Sequence, residues 1–150
     1  MASLLAVRVF DRALTTSAKT LADAIVWAAD HDADLINLSL GTPNLDHAEL
    51  LQEAVLHAVE RGSTVVSALS VNDATYLPGS LDGAVGVLLD WDCDRNEISI
   101  ADQGAGRKVI SASGYPRPIP GVPVERNLSG ISFAVANVTG FLARRLEGDE

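Results

Sequence analysis

The chain has 150 residues, with 20 Asp and Glu against 11 Lys and Arg and a formal net charge of −9. A balance of 47% hydrophobic and 21% charged residues excludes a disordered polymer and suits one compact domain over residues 1–150 that needs no staples. The acid excess argues against nucleic acid and anionic membrane surfaces as partners, and no run of roughly 18 apolar residues is present to span a bilayer.

In chain order, Leu4 to Phe10 reads as a buried strand. Arg8 and Asp11 interrupt that apolar start, which also lacks a basic stretch and a small-residue cleavage site, so no targeting signal is expected and the location is taken as cytoplasmic. Thr15, Thr16 and Ser17 offer caps for a helix over 18–30, whose apolar stripe is Leu21, Ala24, Ile25, Ala28 and Ala29. Asp34 to Leu40 is a second strand, stopped by Gly41 and Pro43. Asp46 and Glu49 have capping-box spacing ahead of a helix striped by Leu50, Leu51, Ala54, Val55, Ala58 and Val59, with Gly62 as its stop. Strands follow at Thr64–Leu69 and Ala84–Leu89, with short ones at Glu97–Ala101 and Lys108–Ala112. The proline-rich stretch from Gly114 to Pro123 is a loop, and Ile131 to Leu146 is a helix apolar nearly all round in its first half, hence central and buried. The alternation of strands and helices predicts an α/β fold, a parallel sheet flanked by helices with right-handed crossovers.

Few residues suggest chemistry. His31 ends the first helix and favours its dipole, while His47 and His57 lie on the polar side of the second without metal-site spacing. Cys93 has no second cysteine to pair with, and Asp90-Trp91-Asp92-Cys93-Asp94 reads as a solvated turn. No glycine-rich phosphate loop follows a strand, so neither a cofactor nor a metal is expected. Ser132, in Ser129-Gly130-Ile131-Ser132-Phe133-Ala134, opens a helix after a glycine turn. There it either satisfies backbone groups of the first turn or sits among free N–H donors able to stabilise an oxyanion, and the local pattern favours the plainer role.

Asp34-Leu35-Ile36-Asn37-Leu38-Ser39-Leu40-Gly41 resembles the substrate-strand motif of subtilisin-like serine proteases. Gly62-Ser63-Thr64-Val65-Val66-Ser67-Ala68 resembles the family's next strand, and Gly130 to Gly140 is similar to its nucleophile helix, Gly-Thr-Ser-x-Ala-x-Pro-His-Val-x-Gly. The resemblance implies a subtilisin-like fold lacking its N-terminal part, Ser132 at the nucleophile position, and Ser39, Leu40 and Gly41 on a strand that pairs with a substrate's backbone. The family's oxyanion asparagine ends an Ala-Gly-Asn turn; here Leu69-Ser70-Val71-Asn72 puts Asn72 one place late as its candidate. Ile131, Ala136 and Asn137 stand where the family has Thr, Pro and His, and its Asp strand and His-Gly-Thr-His block have no counterpart in these residues.

A serine needs a positioned base to become a nucleophile at neutral pH. Three functions follow: a degenerate protease domain, inactive alone, that binds peptide or protein along Ser39–Gly41; a split endopeptidase whose Asp and His come from a partner chain; or a structural and assembly domain. In the family the Asp-bearing strand separates those that Leu4–Phe10 and Asp34–Leu40 resemble. We expect Leu4–Phe10 to slide across and pair with Asp34–Leu40; alternatively a second chain, a copy or the missing half of a protease, inserts a strand. Even after the slide the outer edge of Leu4–Phe10 stays apolar and open, which predicts association through it as a homo-oligomer.

Overall fold

The computed structural model describes residues 2–102, 104 and 108–148. Helix α1 spans Ala18–Asp30, and its N-cap Ser17 accepts from the Thr20 N–H at 3.0 Å. After β1 (Leu35–Leu38), a 3-10 turn at Leu45–His47 runs straight into α2 (Ala48–Glu60). Asn44 caps that turn by accepting from the Asp46 N–H, so the helical path is entered earlier than the expected Asp46–Glu49 box. Then come β2 (Thr64–Ala68), a small hairpin of β3 (Ser70–Val71) and β4 (Ala74–Thr75), β5 (Val85–Leu89), β6 (Ile98–Asp102) and β7 (Lys108–Ala112). Beyond a 3-10 turn at Val124–Arg126 lies α3 (Ile131–Gly148).

The main sheet has the order β1-β2-β5-β7-β6, parallel except for β6, which runs antiparallel to β7. Its faces are covered unequally. Ile36, Leu38 and Val65 pack under α1 and α2 with Leu21, Ile25, Leu51 and Val55. Val66, Ala68, Val87, Ile110 and Ala112 pack on the opposite face under Ala134, Val135 and Val138 of α3. The β1–β2 register sets Ile36 beside Val65 in one apolar layer, and Leu38 beside the fully buried Ser67.

Two expectations are corrected. Leu4–Phe10 is not a strand: residues 2–10 form neither helix nor strand, and among the described residues β1 pairs only with β2. The helix α1 is fixed by its buried stripe against α2, so the chain entering it is not delivered to the edge of β1. A lone apolar segment with no ladder partner gains nothing by extending. The first half of α3 is not buried all round either, because Ser132, Ala136 and Gly140 are exposed. The sheet covers one side of this helix, and no second helix covers the other among the described residues.

Candidate active site

The end of β1 meets the start of α3. Gly130, at φ 143°, turns the chain into the helix, and its carbonyl takes the N–H groups of Phe133 and Ala134 at 3.0 and 3.4 Å. The N–H groups of Ile131 and Ser132 precede them and have no carbonyl to take within the helix. Ser132 is exposed beside these donors, at the positive end of the helix dipole. Its hydroxyl donates to the Ser39 carbonyl at 3.4 Å, and the Ser39 hydroxyl donates back to the Ser132 carbonyl at 3.2 Å. Asn37 extends the row: its amide donates to the Ser39 hydroxyl at 3.2 Å and its oxygen accepts from the Thr139 hydroxyl at 2.9 Å. The sequence reading missed Asn37 and Thr139. Their spacing held the signal, since Asn37 and Ser39 share a strand face at a separation of two, while Ser132 and Thr139, two turns apart, share a helix face.

None of the histidines belongs to this cluster. His31 closes α1, with its ring stacked on Trp27 at 3.9 Å and Nδ1 at 2.7 Å from the Trp27 carbonyl. His57 Nε2 lies 2.8 Å from Asp30, whose carboxyl is held below its ordinary range chiefly by that hydrogen bond, with help from the charges of His57, Arg61 and His31. This pair ties the end of α1 to α2. His47 approaches Asn44 at 3.5 Å, at the mouth of α2. His31 ends α1, His47 sits at the start of α2 and His57 within it. Among the described residues the Ser132 hydroxyl is thus hydrogen-bonded to a carbonyl and to no histidine.

The candidate substrate strand runs past β1. Ser39 and Gly41 are exposed, and Leu40 packs against the α1–α2 core. Thr42 then bridges Leu77, with N–H to carbonyl distances of 3.0 and 2.8 Å in the two directions. A Cβ on Gly41 would lie 2.5 Å from the Leu77 carbonyl, so the glycine is required by this internal approach and not only by an incoming backbone. Asn72 occupies the turn of the β3–β4 hairpin, where it and Asp73 take left-handed φ of 49° and 63°, and no hydrogen bond joins it to Ser132 among the described residues. Asn137, where the resemblance has histidine, donates to the carbonyls of Ser113 and Tyr115 at 3.0 and 3.1 Å and so ties the loop after β7 to α3. A cavity of about 230 Å³ in that region is lined by Cys93, Arg95, Tyr115, Pro116, Val124 and Asn127. Burial first, then the Asp90 charge, raises the Cys93 thiol's pKa and keeps it protonated. Among the described residues no three His, Cys, Asp or Glu side chains converge to hold a metal ion.

The profile of the Subtilase family matches residues 1–149. The thermophilic serine proteinase of Bacillus sp. strain AK1 is 32% identical over 147 residues, covering 97% of this chain and 34% of that protein. Thermitase of Thermoactinomyces vulgaris is 34% identical over 147 residues, covering 95% of this chain and 52% of its own length. Among solved structures, the prenylagaramide maturation protease PagA superposes with a TM-score of 0.64 at 26% identity, covering 88% of this chain and 50% of PagA. The chain thus spans about half or less of the proteins it matches. A serine at the mouth of a helix, a parallel sheet and a match along almost every residue meet in one conclusion: the chain belongs to the subtilase family of serine proteases.

Proposed function

We propose that this chain is a degenerate subtilase domain that does not hydrolyse peptides on its own and binds an extended peptide or protein segment along Ser39-Leu40-Gly41. The observation that carries this reading is the Ser132 hydroxyl, directed to the Ser39 carbonyl, while His31, His47 and His57 pair with Trp27, Asn44 and Asp30. Without a base, the helix terminus and its free N–H groups leave only residual catalysis. Ser39 and Gly41 are exposed at the end of β1, and edge addition of a peptide needs such an accessible stretch.

The retained serine beside free helix-terminal donors favours a second reading, a split endopeptidase completed by an Asp and a His from another chain. One titration separates the two. An N-acetylated apolar hexapeptide amide added to the isotope-enriched chain should shift the amide resonances of Ser39 to Gly41 and leave the peptide intact. Cleavage by the chain alone, or shifts confined to other surfaces, contradicts the proposal. A peptide cut only after another polypeptide is added supports the split enzyme.

A further inference from the structure

The cavity between the β5–β6 turn and the loop from β7 to α3 contains an unpaired donor. Its apolar wall is Tyr115, Pro116, Pro118, Val122 and Val124. Several polar side chains around it are already engaged. The Cys93 thiol lies 3.5 and 3.4 Å from the Asp94 and Glu97 carbonyls. The Ser113 hydroxyl accepts from the Tyr115 N–H at 3.4 Å, and the Asp94 carboxylate accepts from the Asn96 N–H at 2.7 Å. Asn127 donates to the Arg117 carbonyl and accepts from the Leu128 N–H. Arg95 differs: its Nε is buried with no hydrogen-bond partner, and no ion pair holds its guanidinium among the described residues. We propose that this cavity binds a small uncharged aromatic molecule bearing a carbonyl group, whose oxygen accepts from the Arg95 guanidinium while its ring packs against Tyr115 and the proline and valine side chains.

Size, charge and the free donor select this ligand. The cavity measures about 230 Å³. An apolar protein cavity of roughly 150 Å³ already takes benzene, so a ring with a short substituent fits. The guanidinium in the wall disfavours a cation. Asp90, Glu97 and Asp94 disfavour an anion, since their charges add to burial in raising the pKa of Cys93 on the same wall. A neutral acceptor meets neither penalty. A buried N–H without an acceptor has lost its water and gained no bond, and a ligand oxygen offsets that cost. No protein hydrogen bond fixes the Arg95 side chain, so it is free to turn its N–H into the cavity. The opposite wall is formed in advance: the Gly114 carbonyl accepts from the Gly130 N–H at 2.9 Å, and Asn137 holds the carbonyls of Ser113 and Tyr115. Neither Ser132 nor Ser39–Gly41 lines this cavity, so the proposal goes beyond the peptide-binding reading and does not depend on it.

Titration of the isotope-enriched chain with acetophenone, ethylbenzene and benzoate tests it. Acetophenone should bind with a dissociation constant on the order of 1 mM, as a ligand of this size allows. It should move the side-chain Nε–H resonance of Arg95 downfield and shift the amide resonances of Tyr115, Val122 and Val124. Ethylbenzene has nearly the same shape without the acceptor and should bind roughly tenfold more weakly. Benzoate should bind no more tightly than acetophenone. Arg95→Met keeps the apolar stem; it should weaken acetophenone binding roughly tenfold and leave that of ethylbenzene unchanged, which also reports an intact cavity. An unmoved Arg95 resonance, shifts on another surface, equal affinity for ethylbenzene and acetophenone, or tighter binding of benzoate overturns the proposal.

Discussion

The two faces of the sheet are unlike. Under α1 and α2, Ile25, Leu51, Val55 and Val65 are completely buried, and the layer is closed. Under α3 only the side against the sheet is closed, and Ser132, Ala136 and Gly140 are exposed. The first face shows what holds the sheet and its two helices together. On the second, the Ser132 hydroxyl is hydrogen-bonded to Ser39 and to no histidine among the described residues.

The sharpest break of this comparison is Leu51→Ala. It empties a fully closed site and should cost about 2–5 kcal/mol in denaturant unfolding. Gly41→Val comes next, at about 1–3 kcal/mol, because its Cβ meets the Leu77 carbonyl. A loss of peptide binding in that variant reports the fold before the site. Asn137→Ala should cost about 1–3 kcal/mol by leaving the Ser113 and Tyr115 carbonyls unpaired, measured the same way. On the open side, Ala136→Ser should change stability by no more than about 0.5 kcal/mol. A large loss there would mean that the outer face of α3 is covered in solution.

The smallest effect concerns pH. Asp30 is exposed and its carboxyl is held below its ordinary value of 3.8, so it stabilises the fold above that value and stops doing so as pH falls through its lowered one. Asp30→Asn should lower the thermal midpoint slightly at neutral pH. The gap to wild type should close in strong acid and shrink in high salt.

Much of the closed face was legible in the sequence. The helix over 18–30 follows directly from apolar periodicity and its cap, because it buries one stripe against neighbours present in the same chain. Leu4–Phe10 fails for the opposite reason. Its pattern is that of a strand, but a strand exists only with a ladder partner, and composition cannot say where the partner lies. The burial of α3 was overestimated on the same ground, since apolar content shows what a helix is able to bury and not what arrives to cover it. Ser132 and Ser39 were legible through the family resemblance. Their mutual hydrogen bonds, with Asn37 and Thr139 extending the row, needed coordinates.

The central claim is that Ser132 lacks a base. Labelling of the chain by a fluorophosphonate at neutral pH, with Ser132→Ala as control, reads this most directly. The account expects the wild-type chain to react no faster than the control, because its hydroxyl is bonded to the Ser39 carbonyl and no histidine reaches it. Rapid stoichiometric modification of Ser132 in the chain alone would contradict it.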